Sequence, residues 1–100
     1  MTFDMFQKYI EEHILEGWKS DVELDVAMVT KNNGVQLRGL YIKSKERNVS
    51  PAIYLDEYYN YYLKGESLEE IIRRIREEYE WKISRVADYH FKLEKFEYVK

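Results

Sequence analysis

The sequence predicts an α+β fold: a small antiparallel sheet built on a bulged β-hairpin and a short edge strand, with about three helices packed on one face. Three observations carry this. Apolar residues alternate strictly over Val22, Leu24, Val26 and Met28, just ahead of an Asn-Gly turn signal. The returning segment changes phase, with Val35 and Leu37 apolar at odd positions but Leu40 and Ile42 at even ones. Flanking segments repeat their apolar residues at helical spacing.

Phe3, Phe6, Ile10 and Ile14 form one helical face, with Thr2 as N-cap and Gly17 as stop, which predicts a first helix from Phe3 to about Glu16. Lys31-Asn32-Asn33-Gly34 follows the alternating strand, and Asn33-Gly34 suits the positive φ angles of a type I′ turn. A two-residue turn there sets Leu37 opposite Thr30. One extra residue at Arg38-Gly39 then repairs the phase, because glycine commonly marks a bulge. Past that bulge Leu40 meets Met28 and Ile42 meets Val26, while Lys43 meets Asp25 and Lys45 meets Glu23. Leu24, Val26 and Ile72 are expected in the core.

Lys45 to Ser50 reads as a polar connection, and Pro51 opens an edge strand from Ala52 to Leu55. Leu55, Tyr58, Tyr59, Tyr62 and Leu63 share a face of a second helix closed by Gly65. Ser67 and Glu70 make a capping box for a third, whose stripe is Leu68, Ile71, Ile72, Ile75 and Tyr79, continued by Ile83 and Val86. Residues 87–100 fit two patterns: Tyr89, Phe91 and Leu93 alternate like a strand, and Tyr89, Leu93 and Phe96 fit a helix. With no Pro/Gly linker and no internal repeat, 1–100 is expected to be a single domain.

The absence of cysteine excludes disulfides, thiolate zinc sites and cysteine nucleophiles. With no signal-peptide pattern and no apolar run of about 20 residues, a cytoplasmic chain without a membrane span is expected. A net charge of −3 is not a nucleic-acid footprint. Ten tyrosines are the one strong compositional bias, and five of them lie between Tyr54 and Tyr62.

The run KNNGVQLRGLYI, then NVSPAIYLDEYY and a Gly-bounded helix pair, resembles the N-terminal part of the domain of unknown function 5688 family, found in gut-dwelling bacteria and their mobile elements. Thr30, Asn32, Asn33, Gly34, Val35, Leu37, Gly39, Leu40 and Ile42 match, as do Ser50, Pro51, Ile53, Tyr54, Leu55, Tyr58, Gly65 and Leu68. The resemblance spans roughly Phe3 to Tyr79. Because members of that family are longer, this chain looks like a short version or a single module. No activity or catalytic residue comes with the family, so the resemblance implies a fold and a bacterial or phage origin.

No catalytic, cofactor-binding or metal-ligating constellation is assigned. His13 and His90 are the only histidines, and His13 with Glu16 is a common i,i+3 pair. The acidic pairs Asp56-Glu57, Glu69-Glu70 and Glu77-Glu78 flank bases on helices, as a solvated face does. Arg73, Arg74 and Arg76 each have an acid four residues away, in Glu69, Glu70, Glu77 or Glu80, which leaves little free positive field. Asn32-Asn33-Gly34 reads as a turn rather than an anion site. Asn48-Val49-Ser50 is a sequon that a cytoplasmic chain would not present for glycosylation. Tyr61 falls outside the apolar stripe of the second helix and Tyr54 lies on the edge strand, so these two are the candidate protein-binding residues.

The function expected on these grounds is a non-enzymatic protein-binding module, in its specific form a mobile-element-encoded inhibitor of a host defence protein. The expected partner is a protein, and an edge strand also admits a homodimer. The alternatives are a single-stranded nucleic-acid-binding protein using stacked tyrosines, disfavoured by the charge balance, and a small enzyme.

Overall fold

The computed structural model describes residues 1–18, 21–45 and 50–99, with side chains as far as residue 85. The elements run α1 (Phe3–His13), β1 (Val22–Thr30), β2 (Gln36–Ser44), β3 (Ala52–Tyr54), α2 (Leu55–Leu63) and α3 (Leu68–Val99). The strands form one antiparallel sheet in the order β1-β2-β3. The α+β class read from the periodicities is the observed one.

The hairpin differs from expectation in register. β1 and β2 pair without interruption from Val22↔Ser44 to Thr30↔Gln36, so no bulge interrupts the strand at Arg38-Gly39. The extra residue sits in the turn instead. Gly34 N donates to Lys31 O and Lys31 N to Val35 O, both at 2.9 Å, which closes a three-residue loop. Gly34 carries φ 83°, and no non-glycine residue among those described has positive φ, so Asn33 does not adopt the type I′ geometry. Its side chain instead accepts from Val35 N at 3.1 Å. The longer loop sets Leu40 opposite Val26, Ile42 opposite Leu24 and Lys43 opposite Glu23, while the Lys43 side chain still reaches Asp25 at 3.3 Å as expected. The even positions of both strands therefore face the helices, while Leu37 belongs to the other face of the sheet and Val35 to the loop.

Gly39 has a different reason from a bulge. A Cβ there would lie 3.1 Å from Val29 Cγ2 and 3.2 Å from Tyr41 Cε2, because the Tyr41 ring covers the glycine on the outer face.

The core joins Leu40 and Ile42 of β2, Ile53 of β3, and Leu55 and Tyr58 of α2. Phe6, Ile10 and Ile14 complete it from the α1 side, and Ile71, Ile75 and Tyr79 from α3. Leu24 and Val26 are only half-buried, contrary to expectation, because β1 is an edge strand whose flank no other strand among the described residues shields. Ile72 is half-buried because it lies about 100° round α3 from Ile71. Leu63, expected in the α2 stripe, is 62 % exposed. Eight residues beyond Leu55, it has rotated about 80° off the line of contact.

The helix ends follow local chemistry. Met5 N donates to Thr2 Oγ1, and Gly17 takes φ 74° just beyond α1. α2 closes with Glu66 N to Tyr61 O and Gly65 N to Tyr62 O, a Schellman arrangement that needs the φ of 105° at Gly65. Glu70 N donates to Ser67 Oγ at 3.2 Å, while the Glu70 carboxylate is engaged by Arg73 and Arg74. α3 stays helical through Val99, so residues 87–99 follow the helical pattern and not the strand. The side chains of Val86, Tyr89, His90, Phe91, Leu93 and Phe96 lie outside the described residues, as do Asn48 and Val49.

Two side chains tie distant elements together through backbone groups. Asp56, in the first turn of α2, accepts from Arg38 N at 2.7 Å, beyond the point where β3 stops pairing with β2. Arg76 of α3 donates to the carbonyls of Ile14 at 3.0 Å, His13 at 3.3 Å and Glu16 at 2.7 Å, capping the end of α1. It was expected on a solvated face paired with Glu80; its guanidinium reaches the α1 carbonyls because α3 crosses that helix end.

Candidate protein-binding surface

α2 and α3 are joined by a tight Gly65 turn, which lays them side by side. Their adjacent flanks form an open groove lined by Tyr58 and Tyr61 of α2 and Arg74, Glu78 and Trp81 of α3. On α3, Arg74, Glu78, Trp81 and Arg85 recur at spacings of four, three and four, one stripe beside the core-facing one.

The floor of the groove is polar and ordered. Tyr58 is 6 % exposed, and its hydroxyl donates to Glu78 Oε1 at 2.6 Å. Burial, reinforced by the Glu78 carboxylate, pushes the Tyr58 phenol well above its ordinary pKa, so it stays a protonated donor. Glu78 Oε2 also pairs with Lys82 Nζ at 2.9 Å. Lys82 in turn donates to Ala52 O at 2.7 Å and lies 5.8 Å from the Tyr54 ring centre.

The rim is aromatic. Tyr61 is 40 % exposed and Trp81 58 % exposed. The Arg74 guanidinium lies 5.3 Å from the Tyr61 ring centre, and that of Arg85 lies 5.0 Å from Trp81. Tyr61 thus lies off the buried stripe, as its helical angle predicts. Tyr54 is half-buried on the outer face of the sheet, opposite Gly39, with Lys31 Nζ 5.0 Å from its ring centre. Lys82, beside the Tyr54 ring, pairs with Glu78, the acceptor for Tyr58, but Tyr61 borders the groove and Tyr54 lies with the hairpin loop beside Thr30, Lys31 and Asn33. Trp81 was missed, although the same phase test finds it: it is two residues from Tyr79 and out of register with the α3 stripe.

Arg73 and Arg74 are neutralised locally. Arg73 bridges Glu70 and Glu77, and Arg74 pairs with Glu66 at 2.9 Å and Glu70 at 3.4 Å. Hydrogen bonds from Arg73 hold the Glu70 carboxyl down at about 2, and the same contacts raise Arg73. His13 Nδ1 lies 2.5 Å from Glu16 Oε1 at the far end of α1, away from this groove. Among the described residues, no group of three or more His, Asp or Glu side chains converges in a way that suits a metal ion. No described helix is long and apolar enough to cross a membrane.

A model of the family of unknown function DUF5688 matches residues 3–100. The match runs past Tyr79, where the resemblance read from the residues stopped, and includes the whole of α3. Comparison with curated proteins and with solved structures returns no match.

Proposed function

We propose that this chain, which belongs to the DUF5688 family of unknown function, is a non-enzymatic module that binds a protein partner through the α2–α3 surface. The observation that carries the reading is the pair of exposed aromatics, Tyr61 and Trp81, above a rigid hydrogen-bonded floor. Tyrosine and tryptophan anchors dominate interface energetics because they bury large area at small entropic cost. Arg73, Arg74 and Lys82 already carry opposite partners, which suits a mixed polar rim. Single-stranded nucleic acid is the weaker reading, because phosphate binding draws on unpaired positive charge and Arg73, Arg74 and Lys82 are each matched by carboxylates.

The specific form of this reading is inhibition of a host defence protein, and it rests by association on the bacterial or mobile-element origin that the family resemblance implies. Affinity capture from the native host identifies the partner, and titration of the purified partner tests the surface. Tyr61→Ala or Trp81→Ala is expected to weaken binding roughly 30-fold or more, as truncating a hot-spot anchor does. Tyr54→Ala tests the other candidate residue, which lies on the sheet beside the hairpin loop. Undiminished binding by all three variants, each with unchanged stability, refutes the proposal.

A further inference from the structure

We propose that the open edge of β1 pairs antiparallel with β1 of a second copy of this chain, about a two-fold axis through Val26. The ladder shows which backbone groups are available. Because Lys31 N donates to Val35 O, the odd residues of β1 are those bonded to β2. The bond from Arg38 N to Asp56 agrees, since even residues of β2 turn away from β1. Val22, Leu24, Val26, Met28 and Thr30 therefore direct their N–H and C=O groups toward the open edge. Among the described residues, no strand pairs there.

The charges on this edge, Glu23 and Asp25, lie in its first half on the outer face, and its second half carries none. Val22–Thr30 contains no proline, glycine or lysine, and its pairing has no bulge. Its helix-facing side is unfinished as well: Val22, Leu24 and Val26 are half-buried and Met28 is 58 % exposed.

The charges fix the register. Asp21, Glu23 and Asp25 cluster at the start of the strand, with Asp21 and Asp25 paired within the chain to Lys45 and Lys43, and Lys31 follows its end with Nζ 5.0 Å from the Tyr54 ring centre. Antiparallel self-pairing lays the acidic end of each copy against the far end of the other. With Val26 on the axis, Leu24 meets Met28, Asp25 meets Ala27, Glu23 meets Val29, and Asp21 meets Lys31. Moving the axis to Leu24 sets Glu23 against Asp25 across the interface, a repulsive cross-strand pair. Moving it to Met28 leaves the backbone of Val22 and Leu24 without a β1 partner. Only the Val26 axis uses all the free groups of the strand while separating the acids.

Light scattering across a concentration series up to about 1 mM is expected to show a mass rising toward twice the 12.3 kDa of the monomer. Met28→Lys, at a position exposed in the single chain, is expected to give a folded monomer with an unchanged circular-dichroism spectrum. The chain has no cysteine, so introduced thiols report register. Asp25 and Ala27 lie on the outer face in a non-hydrogen-bonded pair, with Cα atoms about 4.5 Å apart, within disulfide reach. A mixture of Asp25→Cys and Ala27→Cys chains is expected to cross-link under mild oxidation, and neither variant alone. A monomeric mass at every concentration, a dimeric Met28→Lys, or cross-linking of Asp25→Cys alone overturns the proposal. Partner binding through the α2–α3 surface is expected to survive Met28→Lys, so the two readings fail separately.

Discussion

Replacing Arg76 by methionine keeps an apolar stem of similar length and removes the guanidinium that holds the end of α1. Three carbonyls lose a charged donor, at 3.0 Å from Ile14, 3.3 Å from His13 and 2.7 Å from Glu16. A hydrogen bond to a charged group contributes about 1.5–3 kcal/mol net, and a cation at a helix C-terminus about 0.3–1 kcal/mol more when exposed. The three bonds share one side chain, and water can reach the exposed Glu16 segment, so the contributions do not add in full. A loss of about 2–3 kcal/mol is expected. With a urea m-value near 1 kcal/mol/M, the denaturation midpoint should fall by roughly 2 M. Arg73→Met is the control: it removes the same charge five-sixths of a turn away, where the partners are exposed carboxylates and an ion pair contributes only about 0–1 kcal/mol. If the two variants unfold at the same urea concentration, Arg76 is not the tie between α1 and α3 and the reasoning fails.

Ser67→Ala should cost about 1 kcal/mol through loss of the bond from Glu70 N, read from a thermal or urea midpoint; an unmoved midpoint counts against the cap. Gly34→Ala should cost about 1–2 kcal/mol because its φ of 83° suits only glycine, whereas a type I′ turn would place comparable demand on Asn33. Tyr58→Phe should destabilise by about 1–2 kcal/mol, since the buried hydroxyl donates to Glu78; a neutral effect would mean Lys82 satisfies that carboxylate by itself. The Glu70 carboxyl should titrate near 2 by NMR, held down by Arg73. Its folded value lies below the unfolded one of about 4.3, so its contribution is present above that pH and is lost as pH falls toward 2. The group is exposed and the effect on stability small, and a midpoint near 4.3 would show that the ion pair does not persist in solution.

Local backbone chemistry was legible in the sequence. Thr2, Gly17, Gly65 and Ser67 act within a few residues of themselves, so helix ends near α1, α2 and α3 could be placed before any contact was known. Helical phase likewise assigned Phe6, Ile10, Ile71, Ile75 and Tyr79 to the core and Tyr61 to the outside. The same test applied to Trp81 would have completed the rim of the α2–α3 surface. The β2 phase change was seen correctly and explained wrongly. A bulge within the strand and one more residue in the turn both keep Leu40 and Ile42 in phase with Val22, Leu24 and Val26, and a single sequence does not distinguish them.

What the sequence by itself determined is therefore the set of elements and their inward faces, because propensity, capping and amphipathic period are properties of neighbouring residues. The tertiary structure alone decided the hairpin register, the reach of Arg76 to carbonyls sixty residues earlier in the chain, and the half-exposure of Leu24 and Val26. It also decided that Tyr61 and Trp81 border one groove while Tyr54 lies apart from it. These depend on which strand lies at the edge and where α3 crosses α1, and both follow from how the elements share a core rather than from any one of them.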